Sequence, residues 1–299
     1  MLRQLNEAAR HGIAAGPDQE PERPDWTMDQ EWESYTAQEH GVWKTLFERQ
    51  SRLLPGRACN FFVKSMGELP IGPNEIPDFR RLSDKLMERT GWQVVAVPGL
   101  IPDDAFYELL ARRKFPAGQF IRKPEQLDYI EEPDVFHDVF GHVPLLMHPV
   151  IADYMQAYGE GGLRAKKLGM LERLARVYWY TVEFGLVKQK DGLRIYGAGI
   201  ASSATETVFA LDDPSPNRVR FELDRVLRTR YRIDDLQETY FVIQGLDDLL
   251  ELARIDFAPI YERVRALPDI EPGNVLPTDE ILVRGNGRYH AQKRAAAAA

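Results

Sequence analysis

The stretch PDVFHDVFGHVPLL, residues 133–146, holds two of the chain's six histidines, His137 and His142, together with Asp134 and Asp138. Neutral imidazole is the commonest metal-binding side chain, and two ligands close in sequence need no long loop to be closed. The same residues also read as two partly buried helix histidines satisfied by carboxylates. The spacing separates this stretch from the metalloprotease HExxH pattern, whose ligands at i and i+4 share one helix face. Here the histidines stand at i and i+5, which on an ideal α-helix sets them about 140° apart around the axis. Both rings reach one ion only if the helix widens or ends between them. Gly141 permits such a departure, and Pro144 restricts Val143 directly after it.

A second clue is Glu183 in RVYWYTVEFGLVK, residues 176–188. Its helical neighbours at i−4, i−3, i+3 and i+4 are Trp179, Tyr180, Leu186 and Val187, all apolar or aromatic. A carboxylate buried there unpaired is costly or is forced to take a proton, so it calls for a buried arginine or a cation. Two histidines and one carboxylate match the facial triad of non-haem Fe(II) oxygenases, which leaves coordination positions open for substrate, cosubstrate or O₂. A His₂Glu zinc site competes with it, although nothing beside His137 corresponds to the glutamate base of HExxH.

The remainder of the 299 residues narrows the class. Lys and Arg number 38 against 46 Asp and Glu, a net charge of −8, which argues against a nucleic-acid partner. The single cysteine, Cys59, cannot form an internal disulfide; it fits a reducing cytosol and reads as a small buried hydrophobe. Residues 1–16 lack the apolar core of a signal peptide, and the apolar run 94–101 is far short of the ~20 residues of a membrane span. The expectation is a soluble, cytoplasmic protein with no membrane or nucleic-acid partner. GPDQEPERP, residues 16–24, reads as part of a flexible lead over 1–25, followed by one domain over 26–268 and a loosely ordered tail over 269–299.

Within that domain the pattern is mainly α with short β hairpins, an α+β class. Thr27 and Gln30 resemble a capping box that opens a long amphipathic helix running to Pro55-Gly56. A helix over 77–89 ends at Gly91, a strand over 92–97 follows, and Asp103 caps a helix over 104–114. Further helices are predicted over 134–141, 149–159, 168–183, 200–210, 219–229 and 246–266. Strands are predicted over 119–122, 186–188, 193–196 and 239–243, with Asp191-Gly192 marking a hairpin turn.

Taken together, PDVFHDVFGHVPLL, YWYTVEFGL (178–186) and YGAGIASS (196–203) closely resemble the aromatic amino acid hydroxylases, in particular the short bacterial phenylalanine 4-hydroxylases, over roughly residues 94–264. The resemblance implies a single hydroxylase catalytic domain, acting as a monomer, in which His137, His142 and Glu183 bind Fe(II). It also implies a tetrahydropterin (tetrahydrobiopterin or a related reduced pterin) that supplies two electrons for splitting O₂, and hydroxylation of L-phenylalanine to L-tyrosine. Tryptophan or tyrosine as substrate, or a non-catalytic metal-binding protein, are the alternatives.

Other roles follow from the same resemblance. VPGLIPDDAF (97–106) is similar to the pterin loop, so Gly99, Leu100, Ile101 and Asp103 would meet the pterin edge and Phe106 would stack on its ring. Asp138, standing where a glutamate is usual, would reach the pterin through water. Arg122 matches the arginine that takes the amino acid carboxylate, which a planar guanidinium holds with two parallel bonds. Trp179 and Phe184 match residues lining the aromatic ring pocket, and Ser202 one near the substrate carboxylate. Ile130 replaces a threonine near the substrate backbone. Glu206 matches an acid that hydrogen-bonds a ligand histidine.

Overall fold

The first long helix, α1 (Ala37–Leu53), starts at a capping box made by Thr36 and Glu39 rather than by Thr27 and Gln30. Thr27 instead donates to Asp25, Met28 bridges Ala96, and Gln30 accepts from Phe79 N, so these residues hold an extended approach against the body. This computed structural model describes residues 23–130 and 132–297, and the lead read over 1–25 lies almost wholly outside the described residues.

After α1 come α2 (Asn60–Glu68), which the sequence reading lacks, and α3 (Phe79–Thr90), which Asp78 caps and Gly91 ends at φ 73°. Strand β1 (Gln93–Val97), helix α4 (Asp103–Ala111) and strand β2 (Lys114–Gly118) form a parallel β-α-β unit, with Gln93 paired to Lys114 and Val97 to Gly118. The helix expected over 104–114 therefore stops early, and the strand expected over 119–122 lies one step too late. Pro116 disguises β2 because it has no N–H to donate; a two-stranded sheet tolerates it at an edge. This unit places the loop after β1 at the N-terminus of α4.

Next come a π-helical segment at Phe136–His142, α5 (Val143–Leu146) and α6 (Pro149–Lys167). Helix α6 runs past the expected end at 159 because Gly159 and Gly162 let it pack closely on α4: a side chain at Gly162 would overlap the Tyr107 ring of α4. Helix α7 (Leu171–Tyr178) passes directly into a second π-helical segment, Trp179–Glu183. The hairpin of β3 (Leu186–Gln189) and β4 (Gly192–Ile195) matches the expected turn.

The chain continues through α8 (Ala198–Ala201), α9 (Ala204–Asp212), β5 (Asn217–Arg220), α10 (Leu223–Arg228) and β6 (Thr239–Ile243). The helix expected over 219–229 thus splits into a strand and a shorter helix. The one expected over 246–266 divides into α11 (Asp247–Arg254) and α12 (Phe257–Arg265), with extended Ile255 at the break and Asp256 capping the second piece. Residues 269–299, expected as a loose tail, instead supply β7 (Ile281–Val283) and α13 (Arg288–Ala297). Strand β7 pairs with β5, and His290 of α13 is buried. The α+β class holds, but among the described residues only β3–β4 is a tight hairpin: the larger sheet has order β4-β3-β6-β5-β7, with parallel β3–β6 and β6–β5 pairs.

Helix α1 crosses the first π-helical segment through aromatic contacts. Trp43 meets Phe136 edge-on at 5.3 Å, Phe47 meets Phe140 at 5.7 Å, and Phe136 stacks on Phe140 at 4.8 Å. These rings fix the back of the segment while His137 projects the other way. Cys59 is fully buried and its thiol pKa is pushed up to about 12 by that burial, as a small hydrophobe's would be. Among the described residues, no helix is long and apolar enough to cross a membrane.

Candidate metal centre

The i, i+5 histidine spacing is resolved by widening. Residues Phe136–His142 form π-helix, whose i→i+5 bonds carry residues five apart onto one face. His137 Nε2 and His142 Nε2 come to 3.2 Å of each other. Glu183 closes the group from the end of the other π-helical segment, with Oε1 3.2 Å from His142 Nε2 and Oε2 3.6 Å from His137 Nε2. That segment is sealed by Phe184 N donating to Trp179 O, again five residues back. Gly141 lets α8 approach, since a Cβ there would stand 2.8 Å from Ala198 O.

His137 and Glu183 are held in forms that suit a cation. Ser202 Oγ gives its only proton to Ala198 O and lies 2.9 Å from His137 Nδ1. It can therefore only accept there, which places the imidazole proton on Nδ1 and the lone pair on Nε2, toward the site. Burial drives the His137 pKa down to about 4 despite Glu183, so the ring is neutral at pH 7. Burial opposes ionisation of Glu183, but the neighbouring His142, by its charge interaction and hydrogen bond, is the main influence that outweighs it and holds the carboxyl at about 2. His142 Nδ1 is buried without a hydrogen-bond partner. A buried carboxylate within 3.2–3.6 Å of two imidazole nitrogens suits a divalent cation, and His137, His142 and Glu183 are the one such group among the described residues. Ser202→Ala is expected to weaken iron affinity by about 10–100-fold, read by competition with a chelator.

A cavity of about 470 Å³ opens over this group, lined by Arg122, Ile130, Trp179, Phe184, Ser202 and Glu206 as well as His137 and Glu183. That volume suits a small ligand. Arg122 is already engaged on one side: its Nε and Nη2 donate to the two oxygens of Asp134 at 2.8 and 2.9 Å. The parallel pair of bonds expected for a substrate carboxylate is thus made to Asp134, and the remaining guanidinium N–H groups, Nη1 among them, are those left for a ligand. Asp134, noticed in the sequence only as part of the histidine cluster, also accepts from the backbone N–H of Arg122 and of His137. Burial would raise its pKa, but these bonds and the Arg122 charge hold it below the usual carboxylate range.

The residues expected at the pterin edge lie elsewhere: Gly99, Leu100, Ile101, Asp103, Phe106 and Asp138 do not line this cavity. Gly99 sits at φ 154°, where a side chain would come within 2.9 Å of Glu132 Oε1. Glu132 also accepts from the Leu100 backbone, which ties the loop to the approach of the first π-helical segment. Phe106 is buried, with its ring edge-on to Tyr107 and Tyr178. Asp138 Oδ2 accepts from Gly118 N at 2.8 Å, joining the histidine segment to the end of β2.

Glu206 does not reach a ligand histidine. Its Oε1 accepts from Tyr240 Oη and from Gln237 N. The histidine partner is Ser202, four residues earlier and on the end of α8, where the ring nitrogen is accessible. Burial lifts the Glu206 carboxyl from 4.5 to about 7 against those two bonds. A proton held more tightly in the fold favours folding fully below about pH 4.5, and that contribution is lost as pH rises through about 7. Glu206→Gln, neutral at every pH, is therefore expected to gain about 1–2 kcal/mol at pH 8 and little at pH 5, read from urea unfolding. An equal gain at both would mean that the carboxyl is charged throughout.

Two imidazoles and one carboxylate beneath an open cavity are the donor set of the non-haem iron oxygenases. The model of the biopterin-dependent aromatic amino acid hydroxylases matches residues 31–264, and the chain belongs to that family. It is 59% identical to the phenylalanine-4-hydroxylase of Caulobacter vibrioides, over 93% of this chain and 94% of that protein. It is 54% identical to the phenylalanine-4-hydroxylase of Ralstonia nicotianae, over 94% of this chain and 90% of that one. The iron- and phenylalanine-bound crystal structure of the Chromobacterium violaceum phenylalanine hydroxylase aligns with a TM-score of 0.84 at 49% identity, covering 92% of this chain and 99% of that chain.

Proposed function

We propose that the chain is a phenylalanine 4-monooxygenase that converts L-phenylalanine and O₂ to L-tyrosine with Fe(II) and a tetrahydropterin. The observation that carries the reading is the buried Glu183 carboxylate within 3.2–3.6 Å of two imidazoles, at the floor of a cavity that also holds Arg122 and two aromatic rings. His137, His142 and Glu183 would hold the iron, which with the pterin's electrons supplies the activation of O₂.

The chain's own task is placement. The Arg122 guanidinium, aligned by Asp134, offers its remaining N–H groups to the amino acid carboxylate, while Trp179 and Phe184 receive the ring and Ile130 borders the substrate backbone. Ser202 acts through His137 rather than on the substrate. Gly99, Leu100, Ile101 and Asp103 offer backbone and carboxylate edges to the pterin, Phe106 offers its ring, and Asp138, next to His137, is held by Gly118 N at the end of β2. The catalytic unit is read as 26–268, now extended by β7 and α13. The reading includes a cytoplasmic monomer; the single buried thiol favours a reducing compartment, and light scattering checks the oligomeric state.

The test supplies iron-loaded protein with tetrahydropterin and O₂ and compares phenylalanine, tyrosine and tryptophan. Tyrosine formation from phenylalanine, faster than tryptophan hydroxylation at equal subsaturating concentration, is expected. Faster tryptophan hydroxylation overturns the substrate, and no hydroxylation of any of the three overturns the activity. Arg122→Lys should raise the KM for phenylalanine by about tenfold or more and leave pterin affinity nearly unchanged, because a point charge cannot replace the planar fork.

A further inference from the structure

Gln237 carries no signal in the sequence, yet it is buried and its amide touches the wall of the cavity. Its Oε1 accepts from Trp179 Nε1 at 2.9 Å. An indole nitrogen only donates, so this contact fixes which end of the amide faces Trp179. The other end is fixed independently: Nε2 donates to Arg232 O at 2.8 Å and to Asp235 O at 3.4 Å, and the backbone N–H donates to Glu206. Tyr231, from the same loop, stacks on the Trp179 indole at 4.4 Å and 17°. The loop is pinned from outside by α13, where Tyr289 Oη and Lys293 Nζ both bond Asp235 Oδ1 and His290 bonds Leu236 O.

We infer that Gln237 is a positioning residue that sets substrate choice through Trp179: its amide fixes the indole in its plane, Tyr231 fixes its face, and the pocket is thereby held at the width of a single aromatic ring. This rests on the function proposed above. An indole freed of its partner can swing, and the pocket then admits a bicyclic amino acid side chain and grips the smaller one less well.

The length-matched Gln237→Met removes the acceptor. It is expected to raise the KM for phenylalanine by about fivefold to tenfold with kcat changed by less than about twofold, and to raise the tryptophan-to-phenylalanine ratio of kcat/KM by a similar factor. Calorimetric binding of the two amino acids to the iron-loaded protein without pterin should shift the same way, with iron content unchanged. In a Trp179→Phe background, which lacks the indole N–H, Gln237→Met should add less than about twofold. Tyr231→Leu, at a partly exposed position, should move the ratio in the same direction and carries the test should the glutamine variant not accumulate as folded protein. An equal loss for both amino acids, or an undiminished effect of Gln237→Met on Trp179→Phe, would overturn the inference. Failure of wild-type protein to form tyrosine would instead overturn the underlying activity.

Discussion

His137→Ala and His142→Ala are each expected to reduce bound iron to background and hydroxylation by on the order of a thousandfold or more, since removing the metal forfeits several kcal/mol of its chemistry. The fold should survive, because the aromatic stack of Trp43, Phe136 and Phe140 that anchors the segment lies behind the rings being removed. Metal analysis together with far-ultraviolet circular dichroism checks both halves of the expectation. Glu183→Gln keeps the shape but gives up the anion, so residual iron with little activity is expected there. Full iron occupancy in both histidine variants would sink the assignment of the group as a metal centre.

Asp134→Asn is expected to cost about 3–5 kcal/mol of folding stability, the largest loss among single isosteric changes near the site. The carboxylate is wholly buried and neutralises a guanidinium that is itself only 7% exposed. An amide in its place would turn N–H groups toward the N–H groups of Arg122 and leave a charge buried without its counter-ion. Because the same carboxylate accepts from His137 N, the start of the histidine segment should loosen as well. Urea unfolding reads the stability, and a loss below about 1 kcal/mol would mean that Arg122 finds another partner.

How much of this was legible in the sequence depended on how local the determinant is. The need for a widened helix between His137 and His142 follows from angular arithmetic on two residues and a glycine, and the π-helical segment answers it. The isolation of Glu183 among apolar neighbours was likewise visible from one helix turn. The role of Ser202 was not, because what fixes it is the second bond of its hydroxyl, to Ala198 O, and a residue type alone does not tell a serine facing substrate from one facing an imidazole. Arg122 and Asp134 are twelve residues apart, and only folding shows which carboxylate takes the fork. Strand β2 was hidden by Pro116. Strands β5 and β7 are four and three residues long, too short to set an alternation, and draw their register from a neighbour. The capping signal at Thr27 was a fair motif in the wrong place, outcompeted by the reciprocal pair at Thr36 and Glu39.

The contacts of Tyr289, His290 and Lys293 with the 231–237 loop set an order of events during synthesis. The residues that gather at the metal are translated well before the helix that fastens the cavity wall. A nascent chain can therefore bring its imidazoles and carboxylate together while one side of the chamber is still slack. Helix α13, made later, then closes that side and gives the chamber a fixed outline.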